Sequence, residues 1–245
     1  MSDFSQEDLT FYSGIVEYCK RFNIPRQNLL AILEDQKVLP MIRGKAAEFI
    51  GAALLRKTLD SRDWTVDKLN LNPSPGTTDV DVRITFKMTG DIVKAEIKTA
   101  VRASFRLPRG ARNPHHRFKV KCHKSRSNLK RQNTSNDRYL VDDFNLILCN
   151  VSNAIFKGKS LQRELPLIDN PEAINWLMEF YGVTTEEELV RSSYDDWRMC
   201  FPISIADPDD TIPRTPTVLM ENDPSWFKAD ELPDRLRAFV TNVAS

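Results

Sequence analysis

Between Val80 and Thr99 the chain alternates apolar and polar residues with a period of two, and no other stretch limits the possible folds as sharply. Val80, Val82, Ile84 and Phe86 fall on one side of the first run, with Asp79, Asp81, Arg83 and Thr85 on the other. That is the signature of a strand with one buried face. Thr89-Gly90-Asp91 supplies turn chemistry. The return run sets Val93, Ala95 and Ile97 on the buried side and Lys94, Glu96 and Lys98 opposite them. The pattern predicts a tight hairpin that brings Asp81 on one strand toward Glu96 and Lys98 on the next.

Two carboxylates on neighbouring strands can hold a magnesium ion, which prefers hard oxygen ligands and keeps sites for water and a phosphate oxygen. A lysine beside them can orient an attacking water, help the metal lower its pKa, or neutralise a pentacovalent phosphorane. In a chain that is 28% charged, a solvated hairpin face is the plain alternative. The neighbouring sequence favours chemistry. Upstream, "MIRGKAAEFIGAALLRKTLD" spaces Ile42, Ala46, Phe49, Ile50, Ala53 and Leu54 as one face of a helix, with Glu48 among small and apolar residues.

Downstream, the segment 102–138 carries Arg102, Arg106, Arg109, Arg112, Arg117, Lys119, Lys121, Lys124, Arg126, Lys130, Arg131 and Arg138 against one acid, Asp137. In a chain of net charge +1 this is a local field, and it reads as a contact for a polyanion. "KSRSNLKRQNTSN" adds the Ser and Asn side chains that meet phosphates and base edges. A hydrolytic site followed at once by a basic segment suits a phosphodiester in nucleic acid.

On these residues the stretch from Ile42 to Ser152 resembles the PD-(D/E)xK nuclease superfamily, and type II restriction endonucleases in particular. The resemblance implies a restriction-endonuclease-like α/β core, a central mixed sheet flanked by helices. It makes Asp81 the motif aspartate, Glu96 the second acid, Lys98 the motif lysine and Glu48 the helix glutamate that reaches the metal site. It further implies Mg2+ as cofactor, double-stranded DNA as substrate and a homodimer. The chain departs from the motif at its proline, since Thr78 precedes Asp79 and Val80 precedes Asp81. Asp79 and Asp81 thus both qualify, and Asp81 is favoured because it lies further inside the alternating run.

With 245 residues and 41% hydrophobic content the chain can bury a full core. It has no run of membrane-spanning length, and "MSDFSQEDL" lacks a secretory signal's basic start and apolar stretch. Cys19, Cys122, Cys149 and Cys200 are scattered without a C-x-x-C pair, as expected of reduced thiols in a cytoplasmic protein. The Rossmann glycines and the Walker loop are absent, so no nucleotide cofactor is expected.

Helices are expected over "SQEDLTFYSGIVEYCKRF", with Ser5 as N-cap, around "PRQNLLAILED", with Pro25 at its start, and around Glu48. "NLNPSPGTTD" is a break before the hairpin, and "FNLILCNVS" a buried strand of the same sheet. This organises residues 1–162 as a helical N-terminus plus nuclease core. Residues 163–245 form an acidic part, packed on the same domain with additional helices at "NPEAINWLMEFYGV" and "TTEEELVRSSYDDW" and a strand at "RMCFPISI". Its acidity sets it away from DNA, over the sheet or at a subunit contact. A metal loop at Asp207, Asp209 and Asp210 lacks the glycine and terminal glutamate of a calcium site.

Two further readings compete. "NPHHRFKVKCHKSRSN" holds all three histidines, and His115, His116, Cys122 and His123 could serve a histidine-metal nuclease or a zinc site, although their spacing lacks a paired motif. A non-catalytic DNA-binding protein with a nuclease-like fold is the other.

Overall fold

The hairpin forms as the alternation requires, within a computed structural model that describes residues 5–69, 80–124, 137–157 and 166–243. The break at 70–79, with Asp79, lies outside the described residues, as do Arg126, Lys130 and Arg131. In chain order the strands are β1 (Trp64–Lys68), β2 (Val82–Phe86), β3 (Ile92–Thr99), β4 (Arg117–Lys119), β5 (Leu146–Asn150), β6 (Trp197–Cys200), β7 (Thr217–Leu219) and β8 (Phe227–Lys228). The helices are α1 (Gln6–Arg21), α2 (Leu29–Leu33), α3 (Val38–Thr58), α4 (Ser152–Ile155), α5 (Pro171–Tyr181), α6 (Glu186–Asp195) and α7 (Leu232–Val243). β2 and β3 pair antiparallel with Val82 opposite Ala95 and Ile84 opposite Val93. Gly90 closes the turn at φ +82°, a conformation that costs a residue without Cβ little.

The main sheet has six strands in the order β1-β2-β3-β5-β6-β8, with β3 and β5 parallel and the other pairs antiparallel. Every residue of β5 is buried, as the apolar run in its sequence requires of a strand covered on both faces. On one face Ala52 and Leu55 of α3 and Leu232 and Leu236 of α7 pack with Val82, Ile84, Val93, Ala95, Leu146 and Leu148. On the other, Ile147 and Cys149 meet Phe118, Val120, Cys122, Tyr139 and Phe144, with α4, α5 and α6 outside them. The architecture is therefore mixed α/β, a six-stranded mixed sheet flanked by helices.

The acidic part contributes more than a cover, since β6 and β8 extend the main sheet and β7 pairs antiparallel with β4 of the basic segment. Its two expected helices form, each with a side-chain cap at its N-terminus. Asn170 accepts from the Ala173 amide, and Thr185 makes a capping box with Glu188. "RMCFPISI" is a strand only to Cys200 and then turns into a 3-10 helix at Pro202–Ser204, because proline cannot donate to a ladder.

Two helical expectations need correction. Around "PRQNLLAILED" the chain makes a 3-10 turn, Arg26–Asn28, and the five residues of α2 rather than one helix. In α3 the buried residues are Gly51, Ala52 and Leu55, whereas Ile42, Phe49 and Ile50 are exposed. Small residues decide that face because α3 lies close on β3. A Cβ added at Gly51 would stand 2.7 Å from Cδ1 of Ile97. α1 has its Ser5 capping box with Asp8, but Leu9, Phe11, Tyr12, Tyr18 and Phe22 are all exposed. Among the described residues, no helix is long and apolar enough to cross a membrane.

Candidate active site

The hairpin register decides what meets at the end of the sheet. Val82 pairs with Ala95, so Asp81, one residue before β2, stands opposite Glu96. Its Oδ2 accepts from the Ile97 amide at 2.8 Å, and its carbonyl accepts from the Leu69 amide at 2.9 Å. Both bonds fix the backbone and the carboxyl together. Glu96 and Lys98 point to the same face, as period two demands, but that face is covered: Glu96 is 5% exposed. Lys98 Nζ lies 2.6 Å from Glu96 Oε1 and donates to the Tyr139 hydroxyl at 3.0 Å. The same hydroxyl lies 3.4 Å from Glu96 Oε1, and the ammonium sits 4.6 Å from the Tyr139 ring centroid.

Glu48 comes from α3. Its carboxylate is 2.7 Å from Lys68 Nζ, with both side chains largely buried, and 2.8 Å from the exposed Lys45. Lys68 also donates to the carbonyl of its neighbour Leu69, whose amide is the one bonded to the Asp81 carbonyl. Glu48 acts on Asp81 through charge. Burial first, then the neighbouring Glu96 and Glu48 carboxylates, push the Asp81 carboxyl up to about 7. For Lys98 burial works against the charged form, but Glu96 and the Tyr139 oxygen outweigh it and hold the ammonium well above the usual lysine range. Burial drives the Tyr139 phenol up to about 12. At neutral pH the site thus offers carboxylates, one of them easily protonated, a permanent ammonium and a neutral hydroxyl.

Among the described residues no three His, Cys, Asp or Glu side chains gather into a metal cage. Magnesium needs less than that, since one or two carboxylates plus waters and a phosphate commonly hold it. The donor chemistry fits: Asp81 and Glu96 are hard oxygen donors on facing positions, and although burial is the main cause of the raised Asp81 pKa, the Glu96 and Glu48 carboxylates add to it a repulsion that a cation would relieve. Asp79, the other aspartate that qualified, lies outside the described residues.

Beyond Thr99 the basic segment doubles back along the same strand. The Val101 amide donates to the Lys119 carbonyl at 2.7 Å and the Lys121 amide to the Thr99 carbonyl at 3.0 Å, with Ala100 bridging Val120. Phe118, Val120 and Cys122 are buried, so the alternating Arg117, Lys119 and Lys121 form a row on the outer side. Lys119, Lys121, Arg106, Arg109 and Arg112 are exposed, whereas Arg102 and Arg117 are half-buried. Arg106 is engaged locally, donating to the carbonyls of Ala103 and Phe105 at 2.6 Å. Lys124 stands apart, buried 3.4 Å from Asp143 and with its ammonium 5.7 Å from the Tyr139 ring centroid. It belongs to the interior beneath the cluster rather than to the surface row.

The histidines do not converge. His116 stacks on Trp176 at 3.6 Å between centroids, and its Nδ1 lies 3.3 Å from Glu221. Cys122 is in the core, its thiol pushed up to about 12 by burial, and His123 Nδ1 meets the Lys124 carbonyl. Asp207 and Asp209 pair with Arg138. All four cysteines are free and buried.

Tyr139 and Lys68 are the members of the cluster that the sequence reading missed. Lys68 carried a signal, because Trp64, Val66 and Lys68 share the inward phase of a five-residue alternation. Tyr139 carried none, since it reaches Lys98 across 41 residues from a polar stretch. In comparisons with known proteins, no family model, no curated protein and no solved structure matches the chain.

Proposed function

We propose that the chain is a magnesium-dependent, site-specific endonuclease acting on double-stranded DNA, in the manner of a type II restriction endonuclease. The observation that carries this reading is the meeting of Asp81, Glu96 and Lys98 at one end of the sheet, beside a strand that turns Lys119 and Lys121 outward. Asp81 and Glu96 hold the ion, with the Glu48 carboxylate behind them. A magnesium ion supplies Lewis acidity toward water and a phosphate oxygen.

Lys98 serves as a charge rather than as a base. An ammonium held by Glu96 and Tyr139 has no tendency to take a proton, but it can face the negative charge that builds on the phosphorane. Tyr139 fixes where that charge sits. Arg117, Lys119 and Lys121 bind backbone phosphates and set the duplex over the cluster. Cutting both strands calls for two such clusters, and the reading therefore includes a homodimer.

The test is digestion of a sequenced, genome-scale DNA with magnesium and with a chelator, followed by mapping of the ends. The expected result is cleavage at one short sequence, in the magnesium sample alone. Tight binding without ends on many DNAs would instead support a DNA-binding protein that does not cut.

A further inference from the structure

Where β3 and β5 end side by side, Thr99 pairs with Asn150, and the first half of α3 passes over them. Between helix and strand ends lies a cleft of about 150 Å3, bordered by Arg43, Ala46 and Ala47 on the helix side and by Thr99, Asn153 and Trp197 on the sheet side. The two alanines leave the room. At roughly 30 Å3 for a water, the space takes a small tetrahedral ion and no nucleobase with its sugar.

The chemistry of the lining is one-sided. Arg43 Nη1 is fully buried and has no hydrogen-bond partner among the described residues. Among the described residues, no carboxylate borders the cleft. A guanidinium at the edge of a cleft favours an anion there, since its nitrogens are donors only. Thr99 and Asn153 add a hydroxyl and an amide, both able to donate. Asn150 and Ser152 also line the cleft and are held in place, with Asn150 donating to the Tyr194 carbonyl and accepting from the Ser152 amide at 2.9 Å. The position also agrees with a general rule of open α/β sheets, whose ligands gather outside the carboxyl ends of parallel strands. β3 and β5 are the parallel pair of this sheet.

We propose that this cleft is a phosphate-binding subsite, in which Arg43 holds the oxyanion and Thr99 and Asn153 donate to it. The phosphate is either a free ion or a group of a nucleic-acid strand. Lys98 and Thr99 are consecutive on β3 and so face opposite sides of the sheet, with Thr99 on the α3 side and Lys98 on the Tyr139 side, which makes this cleft a separate site from the one facing Lys98. The proposal rests on the cleft itself and stands whether or not the cluster cuts DNA.

The experiment is calorimetric titration of the full chain with inorganic phosphate, in chelator and at constant ionic strength, for the wild type, Arg43→Gln and Asn153→Asp. Saturable binding by the wild type is expected, weakened at least tenfold in Arg43→Gln. Asn153→Asp should weaken it similarly, because it sets a carboxylate against the anion, and it carries the test if Arg43→Gln loses the fold. Short duplex DNA in the same buffer separates the sources. Weaker DNA binding by the variants, with phosphate competing in the wild type, assigns a strand phosphate, and unchanged DNA binding assigns the free ion. Absence of both phosphate binding and any effect on DNA, or variants that bind phosphate like the wild type, would overturn the proposal. Cleavage is not a readout, so failure of the nuclease reading leaves the result untouched.

Discussion

At Lys98 burial and charge pull in opposite directions, and charge wins because Glu96 lies 2.6 Å away and Tyr139 3.0 Å away. The residue is therefore a fixed ammonium, and Lys98→Ala should lower cleavage about 100- to 1,000-fold, the range seen when one transition-state donor is lost. Duplex binding should change little, since the proposed reading assigns ground-state affinity to the surface row. Near-normal turnover in the variant would remove Lys98 from the chemistry. Asp81 gives a second prediction at this scale. Its carboxyl titrates at about 7 in the folded chain against 3.8 unperturbed. Between those values the folded state holds a proton that the unfolded state has released, so stability from this group is full below about pH 4 and is lost as pH rises to about 7. Denaturation in chelator at pH 5 and pH 7.5 should show this decline, and Asp81→Asn should lack it. Magnesium competes with the same proton, so its affinity should climb with pH and level off above about 7. Metal binding that ignores pH in this window would exclude Asp81 as a ligand.

Among elements, β4 is the one whose sequence pattern and position combine. Across β4 and the three residues after it, Arg117, Lys119 and Lys121 alternate with Phe118, Val120 and Cys122, so the core on one side of this segment fixes a row of cations on the other. Replacing the three together with serine should weaken binding to all duplexes and flatten the salt dependence of log K by about 2 to 3, because fewer counterions are released. An unchanged slope in a salt titration would mean that the row faces away from DNA. What was legible in the sequence follows the same logic. The β2–β3 hairpin and β5 were readable because alternation and apolar runs are local consequences of which faces are covered. The inward face of α3 was not, because the helix is apolar around much of its circumference and contact with Ile97 selects Gly51 and Ala52 by size. Glu96 and Lys98 were readable as neighbours, but their burial under Tyr139 was not, since that contact is set by tertiary packing.

For the whole molecule, the unresolved balance is the amount of apolar surface left outside. The N-terminal arm, from α1 through the first half of α3, exposes Phe11 (71%), Tyr12 (66%), Leu30 (62%) and Met41 (71%), together with Tyr18, Phe22, Phe49 and Ile50. At roughly 150 Å2 or more for a large aromatic side chain, these faces sum to on the order of 1,000 Å2, against about 800 Å2 per partner in a stable interface. A second copy of the chain suits this surface by charge as well as area. α1 has Glu7 and Asp8 in its first turn and Lys20 and Arg21 in its last, so an antiparallel pairing of two α1 helices sets each acidic end against the partner's basic end. The wild type should sediment as a dimer at micromolar concentration. Phe11→Glu with Tyr18→Glu should sediment as a monomer with unchanged helical content, because both side chains already face solvent in the single chain and their loss opens no cavity. The same variant should nick its DNA rather than sever both strands, each monomer carrying one cluster. A wild type that stays monomeric up to tens of micromolar, or a double variant that remains dimeric, would take the arm out of the assembly.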